Sequence, residues 1–466
     1  EIETSKKQVK ALKEQGADVT IGIAHVGIES SSKIKSYDIA KAVDGLDIII
    51  DGHSHTKKTE TVFGTLIQQT GTESSTLGKI NITFNGNDFK IDAGLLTANE
   101  VQKNYTPEQN VTNYYNELYS KIAPTLEKVI GATDSTLFGG NYNSKNISRI
   151  VEANLGDLIG DAMIYESKNL LKDSEYKNLP IVALENGGSV RSRIDKGFIT
   201  MEDVLEVLPL DNKLTLQVIT PKILYQTMER GVCKMKPPAA KGESLDGFFG
   251  GFPQIAGMKI EFDITQEAYD TNTPGDYKGQ RVAKITLIDQ EGNNNIVLDR
   301  ADDQTKLIFA CNDYTVTEYP MVNEVEILTK GDYLSNTLAN YINKLTFDSG
   351  EPIHNYETKG RDILLNQNEY AENFDSKIQI FSNSNVLKSE EVKIVIDNDK
   401  EMITKTDENG YVYINSLNYS SHTIKAFYNN NYSDAYIDPR AGLKDASIFI
   451  DDTSDRDIKC VINLID

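Results

Sequence analysis

The amino-acid sequence predicts a multidomain protein in which a partial α/β layered domain is followed by an α+β domain and a C-terminal β-sandwich. The chain has 466 residues, more than one hydrophobic core usually supports, which indicates roughly three domains. Helix-then-strand steps fill the first part, helices and strands mix in the middle, and short alternating strands follow Asn366. The predicted domains are residues 1–105, 131–366 and 367–466, with a connecting helix at 106–130.

The composition is that of a folded, acidic protein. Hydrophobic residues make up 39% of the chain and charged residues 25%, which is enough apolar material to form cores. The net charge of -22 creates a field that repels polyanions, so no nucleic-acid polymer is expected as a partner. No apolar run approaches the roughly 18 residues of a transmembrane helix. A local arginine cluster could still bind a small anion, because charges are screened beyond about 8 Å in physiological salt.

The first domain repeats one step in which a helix leads into an apolar strand that ends at histidine. The step occurs over residues 6–25 and again over residues 37–55. Because the carboxyl ends of neighbouring parallel strands meet at one sheet edge, His25, His53 and His55 are expected to lie close together. Imidazoles are common metal ligands, so these three residues are predicted to form a metal site.

Two more strands and a long helix complete this part of the chain. Strands at 62–69 and 79–84 are predicted to close the layered domain. Pro107 opens the connecting helix, in which apolar residues recur on one face. Pro124 is predicted either to bend this helix or, with Gly131, to form a hinge between domains.

The middle domain has mixed helical and strand patterns, with predicted helices at 149–168, 201–207 and 221–232 and strands at 180–184 and 214–218. The last domain begins with alternating apolar residues in 392–396. Asn409-Gly410 is predicted to form a hairpin turn before the next strand. This pattern indicates a small β-sandwich, interpreted as a spacer or stalk.

Five short segments of the first two domains together resemble a known family. Residues 23–27 (IAHVG) and 51–55 (DGHSH) resemble the last two metal-ligand blocks of calcineurin-like metallophosphoesterases, in the 5′-nucleotidase branch. Residues 148–159 (SRIVEANLGDLI), 186–191 (NGGSVR) and 252–257 (FPQIAG) resemble three blocks of the 5′-nucleotidase C-terminal domain. The order and spacing of the blocks identify the chain as similar to bacterial secreted 5′-nucleotidases and 2′,3′-cyclic-nucleotide 2′-phosphodiesterases.

The resemblance implies two divalent ions, of zinc, manganese, cobalt or calcium. His25 and His53 would bind one ion and His55 the other. Two such ions neutralise the charge that develops on a phosphate ester and supply a hydroxide at neutral pH.

The resemblance also implies a nucleotide-binding site in the middle domain. The predicted substrate-binding residues are Arg149, Asn186, Gly188, Arg191, Leu210 and Tyr319. Arginines there suit forked contacts with phosphate oxygens, and the glycine-rich turn lets backbone approach a ligand. Taken without the resemblance, each arginine is better explained as a member of a surface ion pair.

Three departures from the family pattern limit these expectations. The family's N-terminal blocks, which carry the catalytic histidine, do not occur in the sequence, so this chain alone is predicted to be inactive. Leu210 stands where relatives place a phenylalanine that stacks on the base. The glycine-rich stretch before Tyr319 is shortened, so this tyrosine either stacks on a base or lies in a core.

The predicted function is metal-dependent hydrolysis of nucleotide phosphoesters, as a 5′-nucleotidase or a 2′,3′-cyclic-nucleotide phosphodiesterase, in nucleotide catabolism or phosphate salvage. Two alternatives stay open: a pyrophosphatase for dinucleotides or nucleotide sugars, and a catalytically inactive nucleotide-binding module. The resemblance implies a secreted or cell-surface bacterial protein, with the C-terminal module as a means of surface or cell-wall attachment.

Overall fold

A computed structural model describes residues 1–29, 32–72, 74–86, 88–143, 145–273, 277–288 and 295–450. The chain divides into two compact units, Glu1–Lys121 and Ile122–Asp466. The division falls inside the predicted connecting segment. In the described part of the chain, no helix is both long enough and apolar enough to cross a membrane.

The first unit is a small layered α/β structure. Its elements are α1 (Ile2–Glu14), β1 (Ile21–Ile23), α2 (Ser36–Ala42), β2 (Ile48–Ile50), β3 (Lys57–Val62), β4 (Thr65–Thr70), β5 (Thr76–Asn85), β6 (Asp88–Thr97), α3 (Ala98–Asn104) and the beginning of α4 (Gln109–Leu126). One sheet has the order β1-β2-β4-β3, with β1, β2 and β4 parallel and β3 antiparallel. Val9 of α1 and Ile39 of α2 share a core with Ile49 and Ile67, because these strands are apolar on the face that the helices cover.

Two sequence predictions for the first unit need correction. The strand predicted at 79–84 does not join the sheet, because β5 and β6 pair with each other as a separate hairpin. The connecting helix α4 begins at Gln109, two residues after Pro107, and ends at Leu126. Pro124 therefore lies in the last turn of α4, where it has no N–H to donate to the carbonyl oxygen of Ser120.

The second unit begins with the α+β domain. Its elements are β7 (Val129–Thr133), β8 (Asn141–Tyr142), β9 (Lys145–Asn146), a 3₁₀ turn (Ile147–Arg149), α5 (Asn154–Leu171), β10 (Ile181–Asn186), β11 (Gly197–Thr200), α6 (Met201–Val207), β12 (Lys213–Ile219), α7 (Pro221–Gly231), β13 (Pro253–Ala256), β14 (Met258–Phe262), β15 (Val282–Leu287), β16 (Ile296–Val297), β17 (Leu307–Asn312), α8 (Asp313–Glu318), α9 (Pro320–Asn323), β18 (Ile327–Tyr333), α10 (Leu334–Ser349) and β19 (Asp362–Leu364). The helix predicted from Arg149 begins only at Asn154, because residues 147–149 form the 3₁₀ turn.

A five-stranded mixed sheet, ordered β13-β10-β17-β12-β18, forms the centre of this domain. Successive residues of β17 point to opposite faces: Phe309 belongs to one hydrophobic core and Ala310 to another. Helices α5 and α10 cover the Ala310 face with residues such as Leu158 and Ile342. The opposite face packs against α7 and a second sheet, ordered β16-β15-β14-β19. The burial of both faces explains the nearly continuous apolar sequence of β17.

A β-sandwich follows, built from β20 (Phe374–Ser382), β21 (Asn385–Val386), β22 (Glu391–Ile396), β23 (Lys400–Lys405), β24 (Tyr411–Leu417), β25 (His422–Tyr428), β26 (Asn431–Ile437) and β27 (Ala446–Ile450). One sheet joins β21, β20 and β24, with β27 also paired to β20, and the other has the order β23-β22-β25-β26. The hairpin predicted at Asn409-Gly410 is wrong, because β23 and β24 belong to different sheets. A strand predicted at 461–464 lies outside the described residues.

The sandwich is fixed against the α+β domain and does not stand apart as a stalk. Tyr436 and Leu443 of the sandwich share a hydrophobic core with Tyr142 and other residues of the preceding domain. The buried carboxylate of Asp434 accepts hydrogen bonds from the backbone N–H of Thr136 at 2.8 Å and from its hydroxyl at 2.5 Å. A shared core and buried hydrogen bonds favour one rigid arrangement of the two domains.

Candidate functional site

Four loops of the second unit meet at one edge of the five-stranded sheet. β10 and β17 are parallel and end at Asn186 and Asn312, while their antiparallel neighbours begin at the same edge, β13 at Pro253 and β12 at Lys213. The loops that meet there comprise residues 186–191, 208–213, 249–253 and 312–314. Hydrogen bonds join them: the N–H of Lys213 donates to Asp313 Oδ1 at 3.1 Å. Strand ends of this kind commonly position binding residues.

Asn186 shapes this edge. Its side chain is buried, and its Nδ2 donates to the carbonyl oxygen of Gly250 at 3.0 Å. Its Oδ1 accepts hydrogen bonds from Ser189 Oγ at 2.9 Å and from Asn312 Nδ2 at 2.8 Å. The amide nitrogen carries a second N–H and a phosphate accepts hydrogen bonds, so contact between Asn186 and substrate stays a prediction.

The glycine-rich turn serves close packing between loops. A Cβ on Gly187 would lie 1.7 Å from the carbonyl oxygen of Ser148, and one on Gly188 would lie 2.9 Å from Gly250 Cα. No larger residue fits at Gly187 without moving the backbone. The turn therefore holds the 3₁₀ turn that carries Arg149 against the loop that carries Arg191. A direct contact between Gly188 and substrate stays a prediction.

Three arginines, Arg149, Arg191 and Arg230, act electrostatically on the phenol of Tyr314. Burial and the negative charge of Glu318 raise the pKa of Tyr314, and the positive charges of Arg230, Arg149 and Arg191 oppose that rise. Burial lowers the pKa of Arg191, and the neighbouring Tyr314 opposes this. The Nε of Arg191 is buried without a hydrogen-bond partner among the described residues. The edge thus offers positive charge and an unused donor.

Sequence reasoning missed Tyr314 and Arg230. Tyr314 is 49% exposed and is the first aromatic residue after β17, two positions beyond its end. This position was the sequence feature that could have indicated a role in binding. Arg230 lies at the end of α7, and its guanidinium carbon stands 4.0 Å from the ring centre of Tyr319. Nothing in the local sequence connects α7 with this edge, because their contact depends on the tertiary fold.

Tyr319 does not offer a ring face to a base. It is only 1% exposed, its hydroxyl donates to the carbonyl oxygen of Gly251 at 2.9 Å, and Arg230 covers its ring. The base-stacking interpretation of Tyr319 is therefore wrong for this structure, and the alternative of a core residue is correct. Leu210 is exposed in the 208–213 loop, as expected of a residue that could face a ligand.

A buried carboxyl group, Glu185, lies beneath the site. Its Oε1 accepts a hydrogen bond from Asn312 Nδ2 at 2.8 Å, and its Oε2 has no partner among the described residues. Burial raises the pKa of Glu185 from 4.5 to about 8, although hydrogen bonds from Ser189 and Asn312 oppose the rise. At neutral pH the folded protein therefore keeps a proton on Glu185 that the unfolded chain releases.

We predict that Glu185→Gln removes a pH-dependent loss of folding stability. Because the folded state binds the extra proton, stability should fall as pH rises from about 4.5 to about 8, by about 1.4 kcal/mol per pH unit at most. Glutamine has the same shape and no charge, so it should not show this fall. Urea unfolding at pH 5.5 and 8.5 checks the prediction. Glu401→Gln, on an exposed glutamate paired with Lys393, is the control and should change both values little.

The histidine-bearing loops of the first unit are held together by one buried carboxylate. Asp51 Oδ1 accepts hydrogen bonds from the N–H groups of Val26 at 2.9 Å and Gly52 at 2.8 Å, and its Oδ2 accepts one from Gln69 Nε2 at 2.7 Å. These bonds clamp the loop after β1 to the loop after β2. As a result, the rings of His25 and His53 lie with their centres 5.3 Å apart.

That His25, His53 and His55 bind metal stays a prediction. His53 and His55 have φ angles of 76° and 50°, a region uncommon for residues other than glycine and often found at functional sites. The paired imidazoles of His25 and His53 suit a divalent ion as donors. However, no group of three or more His, Cys, Asp or Glu side chains in the described ranges is arranged to hold a metal. The structure brings His25 and His53 together but does not add His55 to them.

Comparisons with known proteins agree with the resemblance read from the sequence. Residues 129–324 match the family described as 5′-nucleotidase, C-terminal domain. The chain is 28% identical over 303 residues to the trifunctional nucleotide phosphoesterase protein YfkN of Bacillus subtilis (strain 168), covering 63% of this chain and 18% of that protein. It is 26% identical over 293 residues to the snake venom 5′-nucleotidase of Crotalus adamanteus, covering 57% of this chain and 46% of that protein.

The fold is also similar to that of a solved structure. The crystal structure of a 5′-nucleotidase precursor from Thermus thermophilus superposes with a TM-score of 0.56 at 21% identity, covering 78% of this chain and 67% of that chain. This likeness supports a mixed α/β multidomain fold. The chain spans less than half the length of the two relatives named above. The resemblance is confirmed to this extent: residues 129–324 match the C-terminal domain of 5′-nucleotidases, and the chain is similar to proteins of the 5′-nucleotidase family.

Proposed function

We propose that this chain supplies the nucleotide-binding part of a metal-dependent hydrolase that cleaves nucleotide phosphoesters. The observation that carries the proposal is the group of Arg149, Arg191 and Arg230 around Tyr314 at the sheet edge. In a chain of net charge -22, three cations at one site create a local attraction for an anion against a repulsive overall field. The names of the relatives, 5′-nucleotidase and nucleotide phosphoesterase, support a nucleotide as that anion.

In this arrangement the arginines would bind the phosphate and an aromatic ring would stack on the base. A guanidinium group makes paired hydrogen bonds to phosphate oxygens, and the buried Nε of Arg191 has a donor left to give. The exposed phenol ring of Tyr314 adjoins these arginines and takes the base-stacking role that Tyr319 cannot fill. Leu210 offers an apolar contact from the 208–213 loop. The nucleotide would therefore lie over the ends of β10 and β17.

His25 and His53 would hold one divalent ion, with His55 as a ligand of the second. Such ions, when bound, supply positive charge for the reacting phosphate and a hydroxide at neutral pH. Asp51 would hold together the loops that carry His25 and His53, because its carboxylate accepts hydrogen bonds from backbone and side-chain donors. Two neighbouring imidazoles are an incomplete ligand set, so we propose that this chain alone hydrolyses no nucleotide.

The exposed edge of the first sheet agrees with a need for further protein. β1 is an edge strand, and its Ile23 is 89% exposed although it precedes the candidate metal ligands. Exposed apolar edge strands in soluble proteins are normally covered or paired. We propose that additional protein covers β1 in the active enzyme and completes the metal ligands. The venom origin of relatives supports secretion as the setting of this activity.

Calorimetric titration of the chain with adenosine monophosphate tests the proposal. Arg191→Met should weaken binding by about 10- to 100-fold, because a hydrogen bond to a charged group contributes about 1.5–3 kcal/mol. Lys236→Met, on an exposed lysine beside Asp246, is the control and should leave binding unchanged. Adenosine should bind much more weakly than its monophosphate. Equal affinity for the two ligands, or no effect of Arg191→Met, would contradict a phosphate site at this edge.

A further inference from the structure

A groove lies in the second unit, between the α+β domain and the β-sandwich. Its volume is about 550 Å³, within the range of small-ligand sites. One wall comes from the α+β domain and includes Tyr142, Asp195 and Lys196. The other wall comes from the sandwich and is formed largely by β20, β24, β26 and β27. The residues of the groove are separate from the arginine group around Tyr314.

The sandwich wall carries aromatic and polar side chains in regular rows. Gln379 of β20 pairs with Tyr411 of β24 on one side and with Ser447 of β27 on the other. In the next row Phe381 pairs with Phe449, and the two rings stack with their centres 4.6 Å apart. All five side chains point away from the sandwich core, because their neighbours along each strand are the buried residues.

Large aromatic residues on the outer face of a sheet are unusual in a spacer. Phe449 is 55% exposed, and Tyr411 is partly exposed beside it in the groove. Exposed apolar patches that are surrounded by polar residues commonly mark binding sites. Between the two rings stand the amide of Gln379 and the hydroxyl of Ser447. One N–H of Gln379 Nε2 donates to the carbonyl oxygen of Asn409 at 3.0 Å, which leaves its amide oxygen and second N–H, with the Ser447 hydroxyl, to exchange hydrogen bonds with a ligand.

The charges in the groove balance, which indicates a neutral occupant. Its cations are Arg193, Lys196 and Lys377, and its carboxylates are Asp195, Asp434 and Asp445. Arg193 Nε donates to Asp195 Oδ1 at 2.6 Å. A phosphate or polyanion would meet three carboxylates in a protein that is already strongly acidic. A neutral ligand avoids this repulsion.

Hydrogen-bond chemistry favours a sugar over a proline-rich peptide. Aromatic grooves do bind proline-rich segments, but proline has no N–H to donate to carboxylates such as Asp195 and Asp445. A sugar hydroxyl both donates and accepts, and the C–H face of a sugar ring packs flat on an aromatic ring. Such a ligand uses the rings, the carboxylates and the amide together.

We propose that this groove binds a neutral oligosaccharide. Tyr411 and Phe449 pack against the faces of sugar rings, while Gln379, Ser447 and Asp445 exchange hydrogen bonds with sugar hydroxyls. The site does not depend on the nucleotide chemistry proposed above. It gives the C-terminal module a role in holding the enzyme to a glycan.

Titration of the full chain with defined oligosaccharides tests this proposal. The probes are chitotetraose, cellotetraose and mannotetraose, with a decaproline peptide and inorganic phosphate as rival ligands. Saturable binding of at least one tetrasaccharide is expected. Tyr411→Ala and Phe449→Ala should each weaken it by about fivefold or more, the scale of one aromatic stacking contact. Phe84→Ala, on an exposed ring of the β5–β6 hairpin, is the control and should have no effect.

If the alanine variants fold poorly, a further variant that leaves the aromatic rings in place still tests the proposal. Ser447→Tyr fills the groove from an exposed position and should also weaken saccharide binding. The proposal is overturned if no tetrasaccharide binds, if binding survives all three groove variants, or if decaproline or phosphate binds the groove instead.

Discussion

Replacement of Arg361 by Met should lower the free energy of unfolding of the chain's second unit by about 3–5 kcal/mol, the cost of breaking a buried ion pair. The guanidinium group of Arg361 is almost wholly buried. It donates to Asp157 Oδ1 at 3.1 Å, to Asp161 Oδ1 at 2.6 Å and to the carbonyl oxygen of Ile255 at 3.0 Å. Without it, the charge of the buried Asp157 would keep the hydrogen bond from the N–H of Lys359 but lose its cation, so the pKa of Asp157 would rise further above the usual value.

Urea unfolding of matched variants checks this prediction. Arg193→Met breaks a more exposed pair with Asp195 and should cost less than about 1 kcal/mol. Adding Asp157→Asn to Arg361→Met should restore part of the loss, because it removes the unpaired charge. A loss below about 1 kcal/mol for Arg361→Met would show that this ion pair does not join α5 to β13 as the structure indicates.

The second large effect concerns the histidines of the first unit. Zinc or manganese should bind this chain weakly, because His25 and His53 leave the ion under-coordinated. His53→Ala should weaken that binding by at least about 100-fold, since changing even a group that orients a ligand costs 10- to 100-fold. Calorimetry with each metal measures this, and His354→Ala, on an exposed histidine beside Asp134, should leave binding unchanged. Tight binding of two ions that survives replacement of His25, His53 and His55 would rule out the assignment.

Local patterns in the sequence predicted most elements of the fold. The helix at 201–207 matches its prediction, and the strands before His25 and His53 differ only at their first residues. These elements have strong apolar periodicity and clear start or stop residues, so short-range chemistry determines them. Asn409-Gly410 shows the limit of this reasoning. Its turn chemistry was recognised, but whether the flanking strands pair depends on contacts between the two sheets.

The sequence predicted which segments form the candidate site, but not the contacts of several of its side chains. The segments that carry Arg149 and Arg191 pack together through Gly187, and the binding roles of the two arginines stay predictions. The use of Asn186 within the protein and the burial of Tyr319 could not be inferred, because both depend on Gly250 and Gly251, which are distant in sequence. Tyr314 and Arg230 were missed for the same reason, since α7 and β17 approach each other only in the folded chain.

We expect the phosphate of a nucleotide to bind at the edge where β10 and β17 end, and a crystal structure of the chain with adenosine monophosphate is the decisive measurement. Phosphate oxygens should lie within hydrogen-bond distance of the guanidinium groups of Arg149 and Arg191, with the adenine ring against Tyr314. A nucleotide bound elsewhere, or bound here with its base against an exposed Tyr319 and its phosphate away from both arginines, would show that this edge is not the phosphate site.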